Sequence, residues 1–399
     1  MGRVKKYIIT VVTSALLVLL TFALYNISDR KKIDDKIIKI GFVYVGDEST
    51  PYTENYIKAQ EAIEAKYGDR AIIYVKNNVP EGNEREAVLE LCEAGCDLIF
   101  STSYGYQWSV KEIAAEYPDI QFCQATGDNA NEEPFYDNYH TFMGEIYQGR
   151  YVAGVVAGMK LKQLIDNGEI TENEAVIGYV AAYPYAEVIS GYTAFLLGAR
   201  SVVPETTMRV KYVNTWSSYQ LEKKCAEELI QEDCIIISQH SDTTGPAIAC
   251  EEATEYEVFH VGYNQSMLDV APTTSLIGSR INWTPYMLGA VQAVMEDKRI
   301  EAVVSGNVHG NDMSGGFKQD WVQMLELNEL IAAPGTGDMI DEMVETFCED
   351  GYEVFKGDYI GVNPYDETDI IDLNNGYIEN AEASAPTFNY ILQDVIIIE

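Results

Sequence analysis

The pattern that most restricts the fold of this chain is a repeated alternation of short apolar runs with helix-type periodicity. Residues 40–45 are apolar on both faces, which is typical of a buried parallel strand, and residues 54–67 follow with a helical pattern. The alternation continues to residue 124 and restarts at residue 176, after a long helix that contains residues 147–164. This rhythm predicts parallel sheets that are covered by helices and joined by right-handed crossovers.

The predicted elements fall into two similar halves. The first half has strands at residues 40–45, 71–75, 97–101 and 120–124, and the second has strands at 176–180, 208–213, 234–238 and 257–262. Ligands of such sheets bind beyond the carboxyl ends of the strands, so two facing halves would share one cleft. We therefore predict an α/β protein with two doubly wound parallel-sheet lobes around a ligand cleft. Lobe 1 is expected at about 38–146 plus 284–305, and lobe 2 at about 147–283 plus 306–399.

Charge is distributed unevenly along the chain. Residues 1–39 carry eight Lys or Arg and three Asp or Glu, which leaves about −41 on the remainder of a chain whose formal net charge is −36. Binding to nucleic acid phosphates needs clustered Lys and Arg, which this acidic body lacks. DNA and RNA are therefore excluded as expected partners.

The N-terminus contains a candidate membrane anchor. Arg3, Lys5 and Lys6 precede an uncharged run from Tyr7 to Ile27, and a helix of this length would measure about 30 Å, roughly the hydrocarbon thickness of a bilayer. The run is longer than the apolar part of a typical signal peptide and lacks a good small-residue cleavage site. We predict that residues 1–32 form an uncleaved anchor, with the acidic body outside the cytoplasm.

Signatures of catalysis are missing from the sequence. It contains no Gly-x-Ser-x-Gly elbow, no phosphate-binding loop, no His-Glu-x-x-His and no Gly-x-Gly-x-x-Gly, and its four histidines are scattered. We therefore predict a binding protein rather than an enzyme, with no catalytic residues, metal or cofactor.

Polar and aromatic side chains collect where the predicted strands end. Aromatic rings at such positions can sandwich a planar base, and carboxylates or amides can pair with ribose hydroxyls and ring nitrogens. The candidate ligand-binding residues are Tyr52, Asn55, Ser103, Tyr106 and Asp128 in the first half, and Trp216, Gln239, Asp242, Asn264 and Arg280 in the second.

Four segments resemble the basic membrane protein family. They are Asp97-Leu-Ile-Phe-Ser-Thr-Ser-Tyr-Gly-Tyr106, Tyr179-Val-Ala-Ala-Tyr183, Leu197-Gly-Ala-Arg-Ser201 and Ile281-Asn-Trp-Thr-Pro-Tyr286. The family contains substrate-binding components of ABC transporters and lipoproteins of the purine-nucleoside receptor A type. The resemblance spans roughly residues 38–399, and it implies a type I periplasmic-binding-protein fold, a purine nucleoside or nucleobase ligand and an ABC permease as partner.

The resemblance also assigns roles to single residues. Tyr52 matches the aromatic residue that stacks on the base from the first lobe, and Trp216 matches the opposing aromatic residue from the second. Asn264 stands where the nucleoside receptors have an aspartate that grips ribose, and their lysine near Ile281 is replaced here, with Arg280 adjacent. The lipid-modified cysteine of the receptors is also missing, since the first cysteine is Cys92. These departures keep a purine base open as an alternative to a nucleoside.

Two other functions remain open at this level. A membrane-tethered nucleoside sensor or regulator would use the same fold, and an uncleaved anchor fits it equally well. A nucleoside-cleaving hydrolase would need a tight aspartate cluster near the start of the chain, which Asp47 and Glu48 do not supply.

The predicted anchor can be tested by membrane extraction. Because Tyr7 to Ile27 is long enough to span the bilayer, full-length protein should stay in the membrane fraction after carbonate treatment, with its N-terminus intact. A soluble mature chain that begins between residues 23 and 33 would identify the segment as a cleaved signal instead.

Overall fold

The computed structural model describes residues 36–349 and 352–399, which fold into two α/β lobes and a C-terminal segment. The anchor predicted at residues 7–27 lies outside the described residues. Within the two described ranges, no helix combines the length and the apolar character needed to cross a bilayer.

The main elements agree with the sequence pattern. In chain order the strands are β1 (Ile38–Val43), β2 (Ala71–Lys76), β3 (Leu98–Ser101), β4 (Gln121–Ala125), β5 (Tyr139–Gly144), β6 (Val176–Ala181), β7 (Thr207–Tyr212), β8 (Ile236–His240), β9 (Phe259–Tyr263), β10 (Ser275–Ile281), β11 (Asn307–His309), β12 (Asp312–Gly315), β13 (Val322–Met324), β14 (Ile360–Asn363), β15 (Asp366–Asp372), β16 (Ile391–Leu392) and β17 (Ile396–Ile398). The α-helices are α1 (Pro51–Tyr67), α2 (Glu84–Glu93), α3 (Gln107–Glu116), α4 (Ile146–Asn167), α5 (Ala186–Val202), α6 (Tyr219–Gln231), α7 (Gly245–Glu252), α8 (Thr284–Met295) and α9 (Thr336–Cys348). Every strand predicted in the two halves is present, with ends shifted by a few residues.

Each lobe is built on its own seven-stranded sheet. The first has the order β11-β12-β5-β4-β3-β1-β2, and the second has the order β13-β10-β9-β8-β6-β7-β17. Within each sheet, the first five strands of that half, β1 to β5 and β6 to β10, follow the order 2-1-3-4-5, which is a doubly wound arrangement with parallel pairing. The central strands are buried along most of their length, so each lobe has its own core.

The predicted lobe boundary at residue 306 requires a correction. Strands β11 and β12 belong to the first sheet, because β12 pairs in parallel with β5 and β11 folds back beside β12. A buried polar contact supports this pairing, since the Thr141 hydroxyl donates to Asp312 Oδ1 at 2.8 Å. The chain therefore returns to the second lobe near Gly316 rather than at residue 306.

The chain crosses between the lobes three times, after β5, β10 and β12, and these crossings are hydrogen bonded to one another. The backbone N–H of Glu145 donates to the Gly315 carbonyl at 2.8 Å, and that of Asn282 donates to the Trp321 carbonyl at 2.7 Å. The buried Glu145 carboxylate accepts three more hydrogen bonds, from Asn307, Ser314 and Gln148, at 2.6, 2.8 and 2.6 Å. We call this set of contacts the hinge.

The segment from residue 352 to 399 contacts both lobes. Strands β14, β15 and β16 form a small antiparallel sheet, and β17 adds a parallel strand to β7 at the edge of the second sheet. The backbone N–H of Ser384 donates to Asp312 Oδ2 in the first lobe at 2.6 Å. Ser190 on α5 donates to Glu379 Oε2 at 2.7 Å. The segment is therefore anchored on both sides of the hinge.

Helices α4 and α5 of the second lobe approach so closely that glycine is needed at the contact. A Cβ atom on Gly154 would lie 2.0 Å from the Phe195 carbonyl oxygen, and one on Gly198 would lie 2.1 Å from the Tyr151 carbonyl oxygen. Real Cβ atoms do not approach backbone oxygens this closely, and neither helix backbone can yield as a flexible side chain would. The two helices can therefore pack this closely only because Gly154 and Gly198 have no Cβ atom.

We expect Gly154→Ala to lower the free energy of unfolding by about 1–3 kcal/mol or more, because the added methyl group overpacks the α4–α5 contact. Gly337→Ala is the matched control, since Gly337 lies exposed in α9 with open space around its Cα. The control should gain up to about 1 kcal/mol from better helix propensity. Urea denaturation of the purified variants measures both changes, and equal stability of the two variants would contradict the packing argument.

Candidate functional site

A cavity of about 370 Å³ lies where the carboxyl ends of both sheets face each other. The loops after β1, β2, β3 and β4 form one wall, and the N-terminus of α5 with the loops after β7, β8 and β9 forms the other. The lining residues are Val45, Gly46, Thr50, Tyr52, Thr53, Pro80, Glu81, Ser103, Tyr104 and Thr126 from the first lobe, and Glu187, Trp216, Ser217, His240, Asp242, Tyr263 and Asn264 from the second. Among the residues that the structure describes, this lining contains three carboxyl groups and no lysine or arginine, so it disfavours an anionic ligand.

Six of the ten predicted residues reach the cleft. Tyr52, Ser103, Trp216, Asp242 and Asn264 line this cavity, and Asp128 lines a second chamber next to it. They come from strand ends that are far apart in sequence, as the topology argument requires.

The other four predicted residues do not line either cavity, and each is occupied elsewhere. The Tyr106 hydroxyl donates to the Val79 carbonyl beneath α3, and the buried Gln239 amide donates to the carbonyls of Ser241 and Thr243 at 2.9 and 2.8 Å. Arg280 donates two hydrogen bonds to Gln323 Oε1, at 3.1 and 2.8 Å, along the sheet. Asn55 is buried and donates to the Asn264 carbonyl at 2.9 Å, so it joins α1 of the first lobe to the second lobe. These contacts give the four residues structural roles.

Aromatic side chains from both lobes border the cavity. The Tyr52 hydroxyl donates to the Thr102 carbonyl at 2.6 Å, and its ring packs edge-on against Tyr56 with the centroids 5.1 Å apart. Trp216 is half-buried and packs against Tyr183 and Tyr185, with centroids 5.4 and 6.2 Å away. Contacts within the protein therefore hold both rings in place at the edge of the cavity.

Asp242 has an altered acidity. Burial in the cleft, followed by the nearby Glu222 and Glu187 carboxylates, raises the pKa of Asp242 to about 8, against a smaller opposing effect from the Asn264 amide. The Asn264 side-chain amide lies 3.4 Å from Asp242 Oδ1. At neutral pH the Asp242 carboxyl is therefore mostly protonated, and it can donate as well as accept a hydrogen bond.

Sequence reasoning missed several lining residues. His240 is buried, its Nε2 lies 3.5 Å from Glu187 Oε1, and burial lowers the pKa of its imidazole. Thr53 is fully buried, and its hydroxyl has no hydrogen-bond partner within residues 36–349 and 352–399. Glu187 lies in the first turn of α5, which follows β6, a strand end that supplied no candidate. Thr53 lies in the first turn of α1, between the candidates Tyr52 and Asn55.

Two lining residues adopt a backbone conformation that costs energy. Thr126, with φ +59°, and Asn264, with φ +65°, are both left-handed. For a β-branched residue such as Thr126 this conformation is a true outlier. Strain of this kind is concentrated at binding sites, where the surrounding structure holds it in place.

The second chamber, which we call the annex, has a volume of about 560 Å³ and opens from the same cleft. It shares Glu81, Tyr104, Thr126, Glu187 and Trp216 with the first cavity. Its other lining residues are Asp128, Met143, Tyr183, Pro184, Tyr185, Ala186, Tyr365, Ala385 and Pro386. The two chambers form one continuous cleft.

Comparison with known proteins places the chain in a family. Residues 37–334 match the Bmp family, described as "ABC transporter substrate-binding protein PnrA-like". The chain belongs to this family. Its members are substrate-binding proteins of ABC transporters, which agrees with a ligand cleft between two lobes.

Two relatives carry names that mention a ligand. A purine-binding protein of Brucella abortus is 29% identical over 316 residues, which cover 79% of this chain and 82% of the relative. A Haloferax volcanii protein, provisionally named as an ABC transporter glucose-binding protein, is 34% identical over 239 residues, which cover 60% of this chain and 56% of the relative.

Solved structures share the fold at low sequence identity. A solute-binding protein of an ABC transporter system from Conexibacter woesei aligns with a TM-score of 0.59 at 14% identity, covering 78% of this chain and 96% of that one. A transcriptional activator of the comK gene from Bacillus halodurans aligns with a TM-score of 0.60 at 19% identity, covering 79% and 99%. These similarities support the two-lobed periplasmic-binding-protein fold.

The raised pKa of Asp242 predicts a specific pH dependence. In the unfolded chain an aspartate titrates near 3.9, so between about pH 4 and 8 the folded protein keeps a proton that the unfolded chain has released. The contribution of Asp242 to the free energy of unfolding should therefore fall as the pH rises through this window and level off above about 8.

Asp242→Asn removes this titration and should grow more stable relative to the native protein from pH 5 to pH 8. Thermal melts at each pH measure the difference. Asp137→Asn, which removes an exposed carboxyl outside the cleft, is the control and should run parallel to the native protein. Parallel curves for Asp242→Asn as well would show that Asp242 titrates normally.

Proposed function

We propose that the protein captures a purine nucleoside or nucleobase between its lobes, outside the cytoplasm, and delivers it to an ABC permease. The observation that carries the proposal is the pairing of Tyr52 and Trp216, which come from opposite lobes and line one cavity. A flat heterocycle can contact both rings at once only when the lobes are closed. Ring–ring contacts contribute about 0.5–1.5 kcal/mol beyond the burial of area.

The polar groups of the cavity suit the edges of a purine. Adenine and guanine carry both ring-nitrogen acceptors and amino donors. The protonated Asp242 carboxyl can donate to a ring nitrogen, while the Glu187 carboxylate and the unpartnered Thr53 hydroxyl can accept from an amino or ribose group. By the resemblance, Asn264 occupies the position of the ribose-gripping aspartate in the nucleoside receptors. Its side-chain amide faces Asp242 Oδ1 at 3.4 Å and carries no charge, so we expect a weaker grip on ribose than an aspartate gives.

The names of the relatives, together with the lengths of the matches, favour a purine over glucose as the proposed ligand. The Brucella abortus protein, whose name states purine binding, matches the chain over a longer stretch than the Haloferax volcanii protein, whose name states glucose binding. Among the described residues, the cleft lining also contains no lysine or arginine, which argues against a negatively charged ligand such as a nucleotide.

The proposed location follows from the family and from the N-terminal sequence. A substrate-binding protein of an ABC transporter works on the outer side of the membrane, and residues 7–27 would tether it beside its permease.

Ligand binding can be measured by thermal shift and calorimetry. Adenosine, guanosine, inosine or adenine at 100 times its Kd should stabilise the protein by about 2.7 kcal/mol. Trp216→Ala should weaken the binding of the same ligand about tenfold or more, since a stacked base contributes about 1–3 kcal/mol. The melting temperature of the ligand-free variant should change little, because Trp216 is only half-buried.

Trp108→Ala provides the matched control, because Trp108 is 55% exposed on α3 and lines neither chamber. This variant should bind like the native protein. A response to glucose and not to any purine would overturn the proposed ligand. A large loss of stability in Trp216→Ala with unchanged affinity would remove Trp216 from the site.

A further inference from the structure

The annex has an aromatic wall that the purine site does not use in full. The rings of Tyr183 and Tyr185 are stacked with their centroids 4.9 Å apart and their planes 10° apart, and Trp216 contacts both. Tyr185 remains 48% exposed, and Tyr104 and Tyr365 on the same chamber are 46% and 65% exposed. So many exposed rings around one concave surface are typical of a binding surface rather than of packing.

The polar groups of the annex are mainly acceptors. Asp128, Glu187 and Glu81 supply three carboxylates, and the lining includes no lysine, arginine, asparagine or glutamine. Two of the tyrosine hydroxyls are already engaged, since Tyr104 donates to Asp128 Oδ2 at 3.1 Å and Tyr365 donates to the Pro184 carbonyl at 2.7 Å. Acceptors without cations, next to aromatic rings, attract positive charge through the carboxylates and through the ring faces.

Part of the annex comes from beyond the region shared with the family. Tyr365, Ala385 and Pro386 belong to the C-terminal segment, whereas the family match ends at residue 334. The segment is fixed in place, because Ser384 donates to Asp312 in the first lobe and Glu379 accepts from Ser190 in the second. The chamber is thus a built feature of this chain and not an accident of a loose loop.

From this geometry we infer that the annex is a subsite for an alkylammonium or quaternary ammonium group carried by the ligand. The inference rests on the proposed function for the other half of the ligand, the purine-type heterocycle between Tyr52 and Trp216. The native ligand is then a purine compound with a cationic substituent, rather than a plain nucleoside. The heterocycle occupies the first cavity, and the substituent extends past Trp216 towards Tyr185, Tyr365 and Asp128.

A matched pair of probes isolates the charge. N6-(6-aminohexyl)adenosine and its N-acetylated form differ only in the ammonium group, and 5′-amino-5′-deoxyadenosine with its N-acetylated form offers the same comparison at the other end of the nucleoside. At low ionic strength, calorimetry should give at least one amine a Kd about tenfold lower than its neutral form, a difference of about 1.4 kcal/mol. Equal affinities within both pairs would overturn the inference.

Variants that touch only the annex test its residues. Asp128→Asn and Tyr365→Leu should each reduce the preference for the amine to less than about threefold. The Kd of adenosine should stay the same in Tyr365→Leu, because Tyr365 does not line the first cavity. Asp137→Asn removes the same charge outside the cleft and should keep the full preference. A preference that survives in both annex variants would contradict the assignment.

Tetramethylammonium chloride, with sodium chloride of equal concentration as reference, separates this inference from the proposed function. In one outcome, no purine binds, tetramethylammonium raises the melting temperature, and Tyr365→Leu abolishes that rise. The annex is then an ammonium subsite, and the purine proposal is wrong. If adenosine binds while tetramethylammonium and the amine probes show no advantage, the purine proposal stands and the annex inference is lost.

Discussion

The hydrogen bonds of one buried carboxylate, Glu145, fix the relation between the two lobes. Glu145 lies in the first chain crossing. Two of its three donors belong to β11 and β12 of the first lobe, and the third belongs to the first turn of α4 in the second lobe. Burial raises the pKa of this carboxyl, while the hydrogen bonds from Ser314 and Asn307 oppose that shift. A buried carboxylate is tolerated only when its oxygens are hydrogen bonded, so these three donors stabilise the crossing in its observed position. The position of the ligand cleft depends on this small set of contacts.

The cleft itself is supported from below by a second buried charge. Arg150 on α4 is fully buried, donates to the Gly262 carbonyl at 3.0 Å and to the Ser238 hydroxyl at 2.6 Å, and lies over the Tyr263 ring at 5.6 Å. These contacts hold the carboxyl ends of β8 and β9, from which His240, Asp242 and Asn264 project into the site. Since α4 begins directly after Glu145, the hinge and the floor of the binding site share one helix. A movement of the hinge therefore reaches the ligand through a rigid element.

Much of the fold could be predicted from the sequence because apolar periodicity records burial directly. Strands β1 to β4 and β6 to β9 agree with predicted strands, because each contains a short apolar run or, as in β7, an apolar alternation. Strand β5 was not predicted, because the adjacent polar residues His140 and Thr141 interrupt its pattern. Both are buried in pairs with acidic partners, Glu301 and Asp312, that lie more than 150 residues away. The same reason explains the candidate site. Six residues chosen from strand ends reach the cleft, whereas Tyr106 and Gln239 have the same local signature and differ in the partners that tertiary structure supplies. The position of a residue at a strand end predicts that it lies near the cleft, but it does not predict where its side chain points.

The parallel pairing of β17 with β7 has a consequence for how this protein is divided into expression fragments. A fragment trimmed at residue 334, where the similarity to the family ends, keeps the central strands of both sheets but removes the strand that covers β7. The uncovered backbone N–H and C=O groups of Thr207–Tyr212 would then form a free sheet edge, which is a template for pairing with other chains. Aggregation of such a fragment would reflect the position of the cut and not poor stability of the native protein. The end of sequence similarity is therefore not the end of the folded unit.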